Sequence, residues 1–203
     1  GRHEVLDACA ATALVCQMLR DKGIDPVTQA ESIGTGLLNF TGGKRRSEIV
    51  GRLKTKSGND VVVIDDYGHH PTAVKTTLEG FREFYKGRKI IVDFMSHTYS
   101  RTQALLKEFA SSFESSDELI LHKIYSSARE NPSDFTITGK TLYEEVLKTG
   151  KDKETVHYFE EILDAKDFVL EELDKPLDSK YPDGYLFVTM GAGDNWKLGK
   201  AIL

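Results

Sequence analysis

Cysteine and long apolar runs are the scarcest features of this 203-residue sequence. The two cysteines, Cys9 and Cys16, lie seven residues apart in one predicted helix, about two turns, which is too far for a disulfide bond. We expect both to be small buried hydrophobic side chains, as in a reducing cytoplasm. No segment approaches the roughly 20 apolar residues of a membrane-spanning helix, and no signal-peptide pattern opens the chain. We therefore expect neither a secreted disulfide-rich protein nor a membrane-embedded one.

An excess of positive charge is also missing, because 27 Lys and Arg residues face 32 Asp and Glu residues and leave a formal net charge of −5. A nucleic-acid-binding domain needs a basic surface, so that function is not expected. The phosphate-binding motif Gly-x-x-x-x-Gly-Lys-Ser/Thr of many ATPases occurs nowhere in the sequence. Gly1 leads directly into a patterned segment without an initiating Met, so we expect the chain to begin inside a longer protein.

Apolar segments with strand and helix periodicity alternate along most of the chain, which favours an α/β fold. The predicted fold is a mainly parallel Rossmann-like sheet covered by helices on both faces, preceded by a helical and β segment. A polar turn at residues 57–60 marks the expected boundary between residues 1–58 and 59–203. The predicted strands are 49–56, 61–65, 89–95, 118–124, 155–159 and 185–190, and the predicted helices are 5–22, 26–38, 71–86, 102–113, 139–149, 160–174 and the C-terminal segment.

The prediction of a site starts from residues 61–71. Residues 61–64 (Val-Val-Val-Ile) are typical of a strand buried on both faces, and residues 65–71 (Asp-Asp-Tyr-Gly-His-His-Pro) follow it directly. Pro71 suits the first position of a helix, where its missing N–H costs nothing. In open α/β sheets ligands bind outside the carboxyl ends of the strands, so this polar run lies where a site is expected.

Other polar segments follow the next strands in the same way. Residues 96–101 (Ser-His-Thr-Tyr-Ser-Arg) follow the second strand of the domain, Tyr125, Arg129 and Glu130 follow the third, and residues 191–194 (Gly-Ala-Gly-Asp) follow the last. The carboxyl ends of parallel strands share one edge, so these loops are expected to converge there.

Each piece also has a simpler interpretation. Asp65 and Asp66 could cap the coming helix, Arg129 and Glu130 could form a weak surface ion pair, and the cationic loop at residues 44–46 could be merely solvated. A structural metal at the paired histidines is disfavoured, because no second ligand pair stands at zinc spacing. The Gly-Ala-Gly run is a poor dinucleotide fingerprint, since Trp196 replaces its third glycine; a tight turn whose backbone N–H reaches an anion fits better.

Taken together, the motifs resemble those of the Mur ligases. The similarity rests on five segments in order: Gly1-Arg2-His3 with the helix behind it, Lys44-Arg45-Arg46-Ser47-Glu48, residues 65–71, residues 96–102 and residues 190–194. It covers essentially all 203 residues but only the back half of the family's length. The resemblance implies that residues 1–58 are the last part of the family's central ATP-binding domain and residues 59–203 its C-terminal domain.

The resemblance implies ATP-dependent amide synthesis in peptidoglycan precursor assembly in the bacterial cytoplasm. Within the family, the motifs are most similar to the members that join L-alanine to the lactyl carboxylate of UDP-N-acetylmuramate through an acyl phosphate, with Mg²⁺ bridging the phosphates of ATP. A ligase that attaches a recycled tripeptide to the same sugar is the near alternative, and a non-catalytic Rossmann-like binding module is the alternative of another class. Without a phosphate loop, these residues alone are not expected to complete the reaction.

The resemblance also assigns roles to individual positions. His3 would lie beside the nucleotide, Arg46 and His69 would be catalytic and face the ATP phosphates, and Asp66 would accept from the ribose hydroxyls. The incoming alanine and the muramyl carboxylate would be bordered by Tyr67, His70, His97, Arg101, Gly191, Ala192, Gly193 and Asp194. The chain departs from the family in having Glu4 and Asp7 where asparagines are common, and Thr98 where many relatives have arginine, which leaves Arg101 as the carboxylate partner.

Overall fold

A computed structural model of the chain describes residues 2–40 and 42–203, without the side chains of residues 2 and 3. The chain forms two compact units, Gly1–Gly43 and Lys44–Leu203. The predicted helical start is confirmed in the first unit, which contains α1 (Arg2–Asp21), a 3₁₀ turn (Pro26–Gln29) and α2 (Ala30–Leu38). Gly23 has a φ of +72° just after α1, and the Asp25 carboxylate caps the 3₁₀ turn by accepting from the Val27 N–H.

The expectation for the cysteines is corrected by α1. Cys9 is exposed and Cys16 is partly exposed, and both are free thiols. They are not buried because much of the apolar surface of α1 is itself exposed; Val5 and Leu14, for example, are each 63% exposed.

The second unit contains a six-stranded sheet in the order β1-β2-β6-β3-β4-β5 within the described residues. β1 runs antiparallel to β2, and the other neighbours are parallel, so the predicted mainly parallel sheet is confirmed. The strands are β1 (Glu48–Lys54), β2 (Asp60–Asp66), β3 (Arg88–Met95), β4 (Glu118–Leu121), β5 (Val156–Tyr158) and β6 (Gly184–Gly191).

Helices cover both faces of this sheet, as predicted. One face is buried with α3, α5 and α6 around Phe94 and Phe109, and the other with α7 and α8 around Phe187. The alternation of side chains along each strand supplies both faces, which is why the strands are apolar throughout. The helices of this unit are α3 (Pro71–Phe84), α4 (Tyr99–Ala104), α5 (Leu106–Ser111), α6 (Gly139–Lys148), α7 (Lys166–Asp174) and α8 (Trp196–Ile202).

Several boundaries differ from the predictions; β4, for example, ends at Leu121 rather than at residue 124. The single helix predicted for 102–113 is two helices that meet at Leu105, and the first begins early because the Thr98 hydroxyl caps it. The segment predicted as helix from residue 160 begins instead with a 3₁₀ turn, Ile162–Ala165, before α7. The compact units divide after Gly43, because β1 pairs with β2 in the sheet of the second unit, and the domain boundary expected after residue 58 stays a prediction.

The direction of β1 matters for the site. Because β1 is antiparallel, its first residue, Glu48, pairs with Asp65 near the carboxyl end of β2. The cationic loop that precedes β1 is therefore delivered to the same edge as the segments that follow β2, β3, β4 and β6. We call this border the carboxyl edge.

Candidate functional site

The cationic loop is fixed to the carboxyl edge by Arg45. Its Nε donates to Asp65 Oδ2 at 2.7 Å, and its Nη2 donates to the Gly191 carbonyl at 2.8 Å. The Arg45 carbonyl in turn accepts from the Tyr67 N–H at 2.7 Å. Arg45 thus links the ends of β2 and β6, and this positioning role engages two of the five N–H donors of its guanidinium.

The Asp66 carboxylate also holds this loop in place. Its Oδ2 accepts from the Ser47 N–H at 2.8 Å, and its Oδ1 accepts from the Gly68 N–H, also at 2.8 Å. Asp66 is only 6% exposed. The geometry therefore gives Asp66 a structural use, and the ribose contact stays a prediction.

Arg46 differs from its neighbour, because it is exposed. Among the described residues its guanidinium makes no hydrogen bond or ion pair, and its closest feature is the Tyr67 ring, whose centroid lies 5.9 Å from the Arg46 Cζ. The corresponding distance for Arg45 is 5.0 Å, so both cations lie near one aromatic ring. Arg46 is the loop arginine that remains available to an anion.

A row of aromatic rings runs across the carboxyl edge from β2 to β4. The ring centroids of Tyr67 and His69 are 5.1 Å apart, those of His69 and His97 6.4 Å, and those of His97 and Tyr125 5.7 Å. The backbone closes the last step, since the Tyr125 N–H donates to the Ser96 carbonyl at 2.9 Å. The loops that follow three different strands therefore meet at this edge, as their positions in the sequence predicted.

The surroundings of the two histidines differ. His69 Nδ1 lies 2.8 Å from the Tyr67 carbonyl, which can only accept, so Nδ1 carries a hydrogen and donates it. Burial lowers the pKa of the His97 imidazole, and the nearby Arg101 and His69 lower it further against the opposing effect of Glu130. His97 is accordingly a neutral ring at pH 7.

Two polar atoms beside this row are unsatisfied. Ser96 Oγ and His97 Nδ1 are buried and have no hydrogen-bond partner among the described residues. An unsatisfied buried group costs about 1–3 kcal/mol, and such groups in native structures are frequently functional. These atoms are where a bound polar ligand would recover hydrogen bonds.

Arg101 is directed back toward the edge by its own backbone. The Arg101 Nη1 donates to the His97 carbonyl at 2.8 Å, and the Arg101 N–H donates to the Thr98 hydroxyl at 3.5 Å. The first turn of α4 thus brings the Arg101 guanidinium back to the backbone of His97, four positions earlier in the sequence.

Glycines are needed where β6 ends, because the chain there passes very close to Met95 of β3. Gly191 has a φ of +137°, and a Cβ there would lie 2.3 Å from the Met95 carbonyl oxygen; a Cβ on Gly193 would lie 2.6 Å from the Met95 sulfur. Asp194 pairs with Lys197 at 2.6 Å. A side chain at Gly191 would therefore push β6 away from the β3 backbone, whereas one at Gly193 would require the Met95 side chain to move.

The remaining predicted site residues are placed as follows. His70 is exposed and caps α3, because its Nδ1 accepts from the Thr72 N–H at 3.3 Å. The side chain of His3 lies outside the described residues. In the described part of the chain, no three His, Cys, Asp or Glu side chains are grouped as metal ligands.

Sequence reasoning placed Tyr125, Arg129 and Glu130 in a loop expected at this edge without assigning them a role, and a local ion pair of Arg129 with Glu130 was the simpler alternative. Arg45 was not assigned a role. Nothing within a run of three cations distinguishes the anchored Arg45 from the free Arg46. Glu130 instead accepts from backbone N–H groups at the start of α4. Position after the third strand was the only signal for Tyr125 and Glu130.

The comparisons with known proteins assign the family. Residues 45–193 match the family described as Mur ligase, glutamate ligase domain. The chain belongs to the Mur ligase family. A UDP-N-acetylmuramate–L-alanine ligase of Treponema pallidum (strain Nichols) is 43% identical to this Mur ligase chain over 203 residues, all of this chain and 39% of the relative. The ligase of the same name from Borreliella burgdorferi is 36% identical over 196 residues, 97% of this chain and 38% of the relative.

Solved structures show the same fold. The UDP-N-acetylmuramate–alanine ligase of Thermotoga maritima has a TM-score of 0.69 at 22% identity, over 100% of this chain and 37% of that one. A murein peptide ligase of Psychrobacter arcticus has a TM-score of 0.55 at 20% identity, over 84% and 31% respectively. This Mur ligase chain spans about two fifths of the length of the curated relatives it matches. No helix in its described part is long and apolar enough to span a membrane.

Proposed function

We propose that this chain provides the amino-acid-binding part of an ATP-dependent ligase that joins L-alanine to the lactyl carboxylate of UDP-N-acetylmuramate. The proposal is supported by the names of its relatives and by one observation above all. One cation, Arg46, lies beside the Tyr67 ring of the aromatic row and another, Arg101, bonds to the His97 backbone, and the proposed reaction has to hold two anions and an amine.

The proposed reaction has two steps. A lactyl carboxylate oxygen attacks the γ-phosphorus of ATP, so that an acyl phosphate forms and ADP leaves. The amine of L-alanine then attacks the acyl carbon, the C–O bond to phosphate breaks, the amine loses a proton and inorganic phosphate leaves. Both steps depend on neutralising charge and on placing the reactants in contact.

Arg46 is proposed to face the phosphoryl group that is transferred. A guanidinium is always charged and binds phosphate oxygens through two parallel N–H donors, and that of Arg46 is exposed on a loop that Arg45 and Asp66 hold in place. The His69 ring and the Arg46 guanidinium both lie beside the Tyr67 ring, and His69 is proposed to lie near the phosphates as well.

The amino-acid end is proposed to lie at the other cation. Arg101 suits the alanine carboxylate, and the neutral His97 ring can accept a hydrogen bond from the amine at its unsatisfied Nδ1. Tyr67, His70 and residues 191–194 would border this space. His3 and Asp66 stay the proposed nucleotide contacts, and the proposal places the reaction in the bacterial cytoplasm.

ATP and Mg²⁺ are proposed partners rather than ligands held by this chain alone. The described residues contain no cluster of three metal-ligating side chains, so no step is assigned to a metal bound by them. Mg²⁺ is commonly held by substrate phosphates, waters and one or two carboxylates. The 203 residues also lack a phosphate loop and are not expected to complete the reaction by themselves.

The test is phosphate release by the complete gene product that carries this chain, with UDP-N-acetylmuramate, ATP and Mg²⁺. We expect release that depends on L-alanine and that a tripeptide does not replace. Release driven only by the tripeptide would assign the chain to the recycling reaction. No amine-dependent release with either would favour a non-catalytic binding module.

A further inference from the structure

The loop between β4 and α6 carries a carboxylate that the proposed chemistry does not use. Glu130 Oε2 accepts from the Tyr99 N–H at 2.9 Å, and its Oε1 accepts from the Ser100 N–H at 3.1 Å and from the Ser100 hydroxyl. Both oxygens of one carboxylate are therefore committed to the first two residues of α4, 30 positions away in the sequence.

A second contact fixes the same loop to the same helix. The rings of Tyr99 and Phe135 are stacked, with centroids 5.6 Å apart and an interplanar angle of 21°. The stack and the carboxylate lie on consecutive residues of α4, so the loop cannot slide along the helix without breaking both.

These contacts connect the two sides of the amino-acid end of the site. Toward β4, the loop places Tyr125 against the His97 ring at 5.7 Å. Toward α4, the residues that Glu130 holds directly precede Arg101, whose guanidinium donates to the His97 carbonyl. Glu130 is thus the charged group that joins the loop bearing Tyr125 to the helix bearing Arg101.

We propose that Glu130 is a positioning residue that keeps the Arg101 guanidinium and the His97 ring in the arrangement needed by the amine substrate; this rests on the function proposed above. Glu130 touches no substrate itself. Hydrogen bonds to a charged acceptor are stronger than neutral ones, and a misplacement of about 1 Å in a site can cost about 100-fold in rate. Loss of the Glu130 carboxylate would therefore be expected to displace Arg101 and His97 and so to weaken binding of the amine substrate.

The ionised state suits this use. Burial alone would raise the pKa of the Glu130 carboxyl, but the hydrogen bonds from Ser100 and Tyr99 together lower it below its usual value. The charge also opposes the lowering of the His97 pKa, so its removal is expected to lower that pKa further.

The test is Glu130→Gln in the complete gene product, because glutamine keeps the volume but can accept with only one oxygen, and its amide N–H₂ meets a donor at the other position. We expect the apparent KM for the amine substrate to rise about 10-fold to 100-fold, with the KM for ATP unchanged. Glu130→Asp, which keeps the charge on a shorter side chain, should recover part of the loss. A role in packing alone would leave Glu130→Gln like the unchanged protein.

Asp174→Asn is the matched control. Asp174 Oδ1 accepts from the Ser57 N–H at 2.8 Å and from the Ser57 hydroxyl at 2.7 Å, so this carboxylate also bonds a backbone N–H and a serine hydroxyl, but with one oxygen and at the opposite edge of the sheet. We expect this variant to leave both KM values unchanged. An equal rise in the amine KM in the two variants, or no rise in Glu130→Gln, overturns the proposal.

Hydrogen exchange keeps the two proposals separable. The Tyr99 and Ser100 amides should exchange faster in Glu130→Gln, and the His97 ring resonance should shift, whether or not the protein is a ligase. If the unchanged protein shows no amine-dependent phosphate release, the proposed function fails. If it is active but these amides and the His97 ring are unaffected by Glu130→Gln, the positioning role fails alone.

Discussion

Charged residues are bonded differently at the two edges of the sheet, the carboxyl edge and the amino edge, where the parallel strands begin. At the amino edge, Asp117 accepts from Arg82 Nη2 at 2.6 Å, from the Ile90 N–H at 2.7 Å and from the Tyr181 hydroxyl at 2.5 Å. At the carboxyl edge, the exposed Arg46 has no such bond within the described residues. The charges of this amino-edge cluster are bonded to one another and to the backbone, whereas the carboxyl edge leaves one cation, Arg46, for the proposed ligand.

Anchored residues also occur at the carboxyl edge, and they sharpen the comparison. Arg45, through its Nε and Nη2, and Asp66, through both carboxylate oxygens, are bonded within the chain and hold in place the loop that carries Arg46. Adjacent residues in one cationic run thus divide into a support and a candidate ligand-binding group. A substitution should reveal this division as a loss of stability in one case and of activity in the other.

The largest effect is expected for Arg46→Ala in the complete gene product. Turnover should fall about 100-fold or more, because removing a donor to charge that develops in the transition state typically costs that much. The melting temperature should stay the same, since Arg46 makes no bond within the described residues. Lys44→Ala, an exposed cation of the same loop, is the control and should have little effect. Unchanged turnover of Arg46→Ala at saturating ATP would contradict the assignment.

Asp117→Ala should show the reverse behaviour. It removes the acceptor of the Ile90 N–H and of the Tyr181 hydroxyl and one of the acceptors of the Arg82 guanidinium, which should lower the free energy of unfolding by about 3 kcal/mol. Denaturant unfolding measures this loss, and the KM values of the folded fraction should be unchanged. Asp117→Asn, which keeps one acceptor oxygen, should lose less. A change in the KM for the amine substrate would break the distinction between the two edges.

His97→Ala and Arg101→Ala should each raise the apparent KM for L-alanine about 10-fold, because each removes one polar partner of the amino acid. Steady-state kinetics at saturating ATP measures the change, and the KM for ATP serves as the internal control. If neither variant alters the dependence on the amino acid, the placement of the amino-acid end at these residues is wrong.

A smaller, pH-dependent effect is expected from a buried pair that lies beneath the carboxyl edge. His122 Nε2 contacts Asp93 Oδ1 at 2.5 Å and its Nδ1 contacts the Phe159 carbonyl at 2.9 Å. Burial alone would lower the pKa of His122, but the Asp93 carboxylate and the Phe159 carbonyl raise it, with a minor contribution from Glu161. The folded protein therefore binds this proton more tightly than the unfolded chain.

The sign of the pH dependence follows from linkage. The contribution of the pair to stability is complete below the unfolded pKa of about 6.5 and is lost as the pH rises through the higher folded pKa. The free energy of unfolding, measured by denaturant at several pH values, should fall over that window. His122→Gln should remove this fall, whereas His70→Gln, at an exposed histidine, should keep it. An identical pH profile in His122→Gln would show that the pair does not contribute.

The sequence predicts the scaffold better than the contacts within the site. The apolar runs at β2, β3 and β6 predict buried parallel strands, and the parallel order predicts that the loops after them share an edge. Gly191 was predicted in a tight turn, but its need to lie against the Met95 carbonyl depends on strand register, which periodicity does not reveal.

Contacts over long sequence separations escaped prediction for the same reason. The bond between Glu130 and the start of α4 depends on how the loop after β4 folds back over the sheet. The difference between the anchored Arg45 and the exposed Arg46 depends on which guanidinium reaches Asp65. In both cases the residue type indicated a hydrogen bond or ion pair, and only the folded structure shows which partner forms it.

The most direct test of the account is the response of the histidine ring resonances to L-alanine in the complete gene product, with UDP-N-acetylmuramate and a non-hydrolysable ATP analogue present. We predict that the resonances of His69 and His97 shift together and saturate, while that of His157, which pairs with Glu118 away from the carboxyl edge, stays unchanged. A shift at His157 with none at His97 would contradict the claim that the carboxyl edge is the site.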